Sequence, residues 1–123
     1  MILVDTSVWI DHLQTADATL QRLLEAEKVL THPWVIGEIA VGSYKHRDRI
    51  LGELNSLPIV TIAEHDEVLH FISNHRLYGL GIGYIDAHLL VAVQLTPGAT
   101  LWTRDKRLAL VAEQLKIAFH PFQ

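Results

Sequence analysis

Five short apolar runs rich in β-branched residues punctuate this chain, at residues 2–4, 29–31, 59–62, 99–103 and 116–119, and the stretches between them carry helical spacing. No other feature restricts the fold as much. Two strands separated by a helix cannot close as a tight hairpin, so they lie parallel, with the helix crossing a face of the sheet. Repeated along the chain, that unit predicts an α/β fold of three layers, α/β/α, around a central parallel sheet of about five strands.

The spacing predicts a helix over 6–13 and a second that Asp17 caps, carrying Leu20, Leu23 and Leu24. Pro33 opens a helix over 34–41 that Gly42 ends. Others follow over 47–57, with Ile50, Leu51 and Leu54 inward, and over 64–77, with Val68, Leu69, Ile72 and Leu77 apolar. The segment 84–95, closed by Pro97 and Gly98, is apolar almost all round, which marks a buried helix, and a last helix runs over 106–115. No linker, repeat or low-complexity stretch interrupts the series, so residues 1–123 read as a single domain.

Half the residues are apolar and the mean hydropathy is +0.22, more than a small monomer needs, so a covered apolar interface is expected. Cysteine is absent, which removes disulfides, thiolate zinc sites and cysteine nucleophiles and agrees with a reducing cytosol. Ile2, Leu3 and Val4 are too short a run for a signal peptide, and no run approaches the ~18 residues of a membrane span. A cytoplasmic protein with no membrane partner is expected. The formal charge of −4, from 14 acidic against 10 basic residues, excludes wrapping nucleic acid by bulk charge.

The informative residues are acids that break an apolar pattern. Asp5 directly follows the first strand, at the carboxyl end where open parallel sheets place ligands, although a cap for the helix near Ser7 explains it equally well. Glu38 has Trp34, Val35 and Val41 as same-face neighbours, and a carboxylate in such a stripe is costly to ionise without a positive partner. Rim exposure is the plain alternative. Asp86 shares a face with Leu89, Leu90 and Val93, a choice that the ~0.3–1 kcal/mol offered by a helix N-terminus does not explain. Asp105 follows the strand ending at Trp102 and Thr103, and taken alone reads as a helix cap. Together the four belong to one edge of the sheet.

Several carboxylates in one cleft share protons or hold cations. Oxygen-only donors suit a hard ion, Mg²⁺ or Mn²⁺, which keeps several waters and prefers phosphate-bearing substrates. Phosphodiester hydrolysis is the expected chemistry, with the ion lowering the pKa of a bound water.

The run Ile2-Leu3-Val4-Asp5-Thr6-Ser7-Val8-Trp9-Ile10, the helix of Glu38, GLGIGYIDAHLL at 79–90 and LWTRDKRL at 101–108 resemble the PIN-domain ribonucleases. The likeness is greatest to the VapC toxins of bacterial toxin–antitoxin pairs and covers essentially the whole chain. It implies a five-stranded parallel sheet flanked by helices and a Mg²⁺- or Mn²⁺-dependent endoribonuclease. A metal-activated water would attack in line at phosphorus, leaving a 5′-phosphate and a 3′-hydroxyl. Residue by residue, the resemblance implies Asp5, Glu38, Asp86 and Asp105 as the catalytic, metal-holding quartet. Thr6 or Ser7 and Thr103 match small hydroxyl positions that hydrogen-bond carboxylates or metal waters. A homodimer and a cognate VapB-like antitoxin, whose C-terminal segment covers the active site, are also implied.

Other features read more plainly. No two of the eight histidines stand at i, i+4, and His65, His70 and His75, five apart, do not share a helix face; His88 points away from Asp86. All are expected to be ordinary surface or partly buried residues. GLGIG follows a helix rather than a strand, so it is a loop near the active edge and not a dinucleotide fingerprint. The basic cluster at 45–49 reads as a solvated helix face. The cluster at 104–107 surrounds Asp105, so Arg104, Lys106 and Arg107 are expected to position RNA phosphates.

Three alternatives compete. A haloacid-dehalogenase-like phosphatase also begins with Asp after a first strand, but its second Asp is replaced here by Ser7. A receiver-like signalling domain lacks its early acidic pair. A non-catalytic α/β binding module requires the inward acids to be caps alone. Which RNA is cut, and whether one ion or two is held, is not written in the chain.

Overall fold

Ile2, Leu3 and Val4 are buried on every side because they form the middle of the sheet. In the computed structural model, which describes residues 1–121, Ile2–Val4 is β1, flanked by β2 (Val29–Leu30) and β3 (Thr100–Trp102) in the order β2-β1-β3. Phe122 and Gln123, included in the single-domain reading, lie outside the described residues. Both pairings are parallel: Leu3 stands opposite Leu30 on one side and Leu101 on the other. The continuous burial of β1 and β2 is that of strands covered on both faces.

Among the described residues the ladder has three strands where the sequence predicts about five. The two missing runs touch the sheet through single bridges, Thr31 with Ile59 and Leu101 with Ala118. At 59–62 the chain makes only the bonds Thr31 N–H to Pro58 O (2.9 Å) and Val60 N–H to Thr31 O (3.1 Å), because the next donor a parallel ladder needs is at Pro33, which has no N–H. At 116–119 the first residue, Lys116, is still closing the preceding helix at φ 61°.

Among the described residues, seven helices cover the sheet: α1 (Thr6–Gln14), α2 (Ala18–Glu25), α3 (Pro33–Ala40), α4 (Arg47–Asn55), α5 (His65–Asn74), α6 (Tyr84–Leu95) and α7 (Lys106–Gln114). Helix α5 stops three residues before its apolar pattern does. Arg76 turns left-handed at φ 55°, and Leu77 N–H reaches back to Ile72 O at 2.9 Å. That is a Schellman closure, in which the buried Leu77 seals the helix end without being helical. Helices α2 and α7 end the same way. Glu27 (φ 56°) precedes the bond from Lys28 N–H to Leu23 O, and Lys116 precedes that from Ile117 N–H to Ala112 O, both 3.0 Å.

The main core joins the sheet to α1, α3, α6 and α7 through Leu3, Val8, Ile39, Leu90, Leu101 and Leu108. Residues 87–93 of α6 are all buried, as its composition predicts. A smaller cluster of Ala63, Val68, Ala87 and Val91 lies between α5 and α6. Among the described residues, no helix is long and apolar enough to cross a membrane.

Strand order decides where a ligand goes. The chain leaves β1 for β2 on one side and reaches β3 on the other, so β1 is the point at which the order reverses. In open α/β sheets the crevice beyond the carboxyl end of such a strand is the binding site. Asp5 is the first residue beyond it.

Candidate active site

Asp5 stands at the N-cap of α1, yet its carboxylate accepts no helix N–H. Its side chain is not a cap. It is 6% exposed, and its Oδ2 accepts two hydroxyls, Ser7 Oγ at 2.7 Å and Thr103 Oγ1 at 2.8 Å. Each hydroxyl has one proton, so the 3.3 Å approach of Ser7 Oγ to Thr103 Oγ1 is a contact and not a third bond. The acceptor sides of both hydroxyls are filled by backbone: Arg104 N–H reaches Ser7 Oγ at 3.0 Å, and Asp105 N–H reaches Thr103 Oγ1 at 3.1 Å. This nest ties the loop after β1 to the loop after β3. Both hydroxyl bonds fall on Oδ2, which leaves Oδ1 to face another partner.

Glu38 is half-buried in the last turn of α3, where Thr6 Oγ1 donates to its Oε1 at 2.9 Å. The stripe expected around it is only partly inward. Val35 is buried, but Trp34 is 39% and Val41 89% exposed, because the turns before and after Glu38 lie at the rim of the domain. Burial still raises its carboxyl above the ordinary range, and Asp5 and Asp86 add repulsion that offsets the Thr6 bond.

Asp86, in the first turn of α6, is also half-buried above Leu89, Leu90 and Val93. Burial raises it too; Asp5 and Asp105 repel it, against the stabilising Gly83 N–H on Oδ2 at 3.0 Å. Asp105 is exposed and caps α7: Oδ1 accepts Arg107 N–H at 2.9 Å and Leu108 N–H at 3.0 Å. The plain reading of Asp105 therefore describes one of its oxygens. Electrostatically the four acids form one group, since Glu38 feels Asp5 and Asp86 while Asp86 feels Asp5 and Asp105.

Among the described residues, no three His, Cys, Asp or Glu side chains are gathered closely enough to hold an ion as they stand. The chemistry of the donors nevertheless suits a hard cation. They are all carboxylate oxygens, two of them are raised by burial and mutual repulsion, and Asp5 keeps one oxygen uncommitted.

The basic trio is not the cluster the sequence predicts. Arg104 Nη1 bonds Asp11 Oδ2 at 2.7 Å and Nη2 bonds Asp17 Oδ2 at 2.6 Å, with the guanidinium 5.7 Å from the Trp102 ring centre. Two carboxylates in fork geometry hold a guanidinium firmly, so Arg104 pins α1 to the start of α2 and is taken from the phosphate role. Lys106 and Arg107 remain exposed. Gly81 stands at φ 79°, a left-handed conformation that favours glycine, and the mobile Arg107 side chain lies across it.

The histidines hold a surprise for the sequence reading. His32 is fully buried, with Nδ1 accepting Trp34 N–H at 3.0 Å, and burial aided by His88 pushes it down to about 4. His88 is 4% exposed; it stacks on Trp34 (4.8 Å, 20°) and its Nε2 meets Tyr84 Oη at 3.0 Å. Tyr84 Oη also bonds His65 Nδ1. This group adjoins Glu38, and its signal in the sequence is the i, i+4 spacing of Tyr84 and His88, which His–His spacing alone does not reveal.

Comparison with known proteins places these observations in a family context. The PIN domain family matches residues 2–114. Two curated relatives, each named Ribonuclease VapC32, come from Mycobacterium tuberculosis strains CDC 1551 / Oshkosh and ATCC 25618 / H37Rv. Each is 50% identical over 118 residues, covering 96% of this chain and 95% of the relative. Among solved structures, PAE2754 from Pyrobaculum aerophilum aligns with a TM-score of 0.61 at 20% identity, over 93% of this chain and 85% of that one, a likeness of fold.

Proposed function

This chain belongs to the PIN-domain family, and from that premise we propose that it is a VapC-type endoribonuclease, the toxin of a toxin–antitoxin pair. The observation that carries the proposal is the acidic crevice. Asp5 is held rigidly by two hydroxyls, while Glu38 and Asp86 are raised by burial and by neighbouring acids. An arrangement that resists its own ionisation is completed by a cation.

Asp5 through Oδ1, Glu38, Asp86 and the free oxygen of Asp105 would hold Mg²⁺ or Mn²⁺. When bound, such an ion stabilises charge developing on phosphoryl oxygens and makes water nucleophilic at neutral pH. The residues themselves supply order. Ser7 and Thr103 fix Asp5, Thr6 fixes Glu38, and the Gly83 N–H fixes Asp86. Lys106 and Arg107 supply positive charge at the mouth for RNA phosphates. The whole chain serves as one such domain in the cytoplasm. Exposed apolar side chains such as Tyr78 and Leu110 support a homodimer and a VapB-like antitoxin as partners.

The test uses purified, antitoxin-free protein incubated with total RNA plus Mg²⁺, Mn²⁺ or EDTA, beside Asp5→Asn. Cleavage that needs the ion and is lost in the variant is expected. Cleavage in EDTA, or by Asp5→Asn at the parental rate, refutes the mechanism. The toxin role predicts growth arrest on expression, relieved by the adjacent antitoxin reading frame.

A further inference from the structure

An unfilled space lies beside Glu38. Pro33, Trp34, Gly37, Glu38, Val41 and Ile85 line an open, mostly apolar groove of about 400 Å³. Gly37 is its floor. It lies inside α3, where glycine weakens a helix relative to alanine, and a Cβ there would meet nothing within 4 Å. No packing within the chain requires that glycine, so what its missing side chain preserves is room.

Trp34 forms one wall, and its ring is held from behind. His88 stacks on it at 4.8 Å and 20°, Tyr84 meets it edge-on at 6.1 Å and 73°, and Tyr84 is in turn bonded to His88 and His65. A ring braced in this way by side chains from α6 presents a preorganised flat surface. Of the three tryptophans, Trp9 is 3% and Trp102 4% exposed, whereas Trp34 is 39% exposed. Glu38 lies one helical turn further on, about 6 Å along the axis, on the same face. The groove is thus continuous with the acidic crevice, and the offset is that between a nucleotide's phosphate and its base.

We propose that Trp34 is a stacking platform that seats one unpaired base of the RNA beside the scissile phosphate, with the space over Gly37 as its subsite. This rests on the ribonuclease reading above. Splayed bases stack on exposed aromatic rings in single-stranded RNA recognition, and stacking needs no positive charge, which the lining of this groove lacks. Trp34 is a positioning residue: it orders the nucleotide, while the acids face the phosphate.

The test titrates Asp5→Asn protein in Mn²⁺ with short single-stranded oligoadenylate or oligouridylate RNA, following tryptophan emission. Because Trp9 and Trp102 are buried, a change reports on Trp34. Quenching is expected, and Trp34→Leu should abolish it and weaken binding roughly 5- to 150-fold, the range for loss of one base–aromatic stack. Trp34→Phe should bind within a few-fold of the parent. Gly37→Leu should block the groove and weaken binding without lowering the thermal midpoint. In the Asp5-intact enzyme the same changes raise KM and leave kcat within a few-fold. The proposal is overturned if Trp34→Leu and Gly37→Leu bind RNA like the parent. It is equally overturned if acrylamide reaches Trp34 only at concentrations where the protein dissociates, for then a second copy covers the ring. Cleavage without quenching sinks only the platform; quenching without metal-dependent cleavage sinks the ribonuclease reading.

Discussion

Replacing Thr103 by valine removes one hydroxyl and keeps the shape of the side chain, so it isolates the hydrogen bonds that hold Asp5. Two are lost: the 2.8 Å donation to Asp5 Oδ2 and the 3.1 Å acceptance from Asp105 N–H. The first ends on a carboxylate that is only 6% exposed, and bonds to charged groups contribute about 1.5–3 kcal/mol. The second comes from an exposed residue that water can serve, so its loss costs about 0.5 kcal/mol. The added methyl returns less than about 0.8 kcal/mol, because position 103 is only half-buried. The balance is a loss of about 2 kcal/mol, or roughly 6–8 °C in Tm for a chain of this length. Urea and thermal unfolding followed by circular dichroism measure it. Thr103→Ser should stay within about 1 kcal/mol of the parent, since the hydroxyl is retained. Ser7→Ala should cost about as much as Thr103→Val, and the double variant more than their sum, because Asp5 Oδ2 then has no donor. A Thr103→Val protein within about 0.5 kcal/mol of the parent, or a strictly additive double variant, refutes the shared-hydroxyl account of Asp5.

Glu38 and Asp86 have folded-state pKa values above their ordinary ones, so the folded protein binds more protons than the unfolded chain there. Metal-free stability should therefore fall as pH rises from the ordinary carboxylate range through the raised values. Glu38→Gln, which still accepts the Thr6 hydroxyl, should flatten that fall and reduce the Tm gain on adding Mn²⁺; a steeper fall contradicts the assigned repulsion. His32 has the opposite sign: its stabilisation is complete above pH 6.5 and is lost as pH drops toward about 4, a contribution of at most about 3 kcal/mol. His32→Asn keeps an acceptor for Trp34 N–H and should remove that slope in urea midpoints between pH 6.5 and 4, whereas an unchanged slope assigns the titration elsewhere. Arg76→Gly and Lys116→Gly relieve exposed left-handed residues at Schellman helix ends, and each should raise stability by about 1 kcal/mol. A loss in thermal unfolding would show the long side chains to matter more than the backbone.

Much of this was legible before any coordinates. The β1, β2 and β3 runs are apolar and β-branched because they are covered on both faces, and α6 is apolar all round because it lies between β3 and α5. The placement of Asp5 beyond β1 and Asp105 beyond β3 follows from the same alternation. What failed depended on local partners and domain edges that a periodic pattern does not encode. The run 59–62 has strand composition, but Pro33, where the neighbouring chain turns into α3, has no N–H to continue the ladder. Leu77 continues a helical period, yet is buried as the seal of a closed helix end. Arg104 reads as free in the sequence because its partners, Asp11 and Asp17, lie 93 and 87 residues away in the chain. The inward stripe of Glu38 was half right, since periodicity gives a direction around α3 but not how far the domain extends beyond it.

The nest around Asp5 also sets a timetable. Its second hydroxyl lies 98 residues downstream, and the strand that delivers it, β3, is synthesised after β1, β2 and α1 to α6. A nascent chain on the ribosome can therefore complete β1, β2 and most of its helices while Asp5 is still unlatched. An enzyme of this kind, surrounded at birth by the very polymer it cuts, acquires the ordered nest around Asp5 only after β3 has been made.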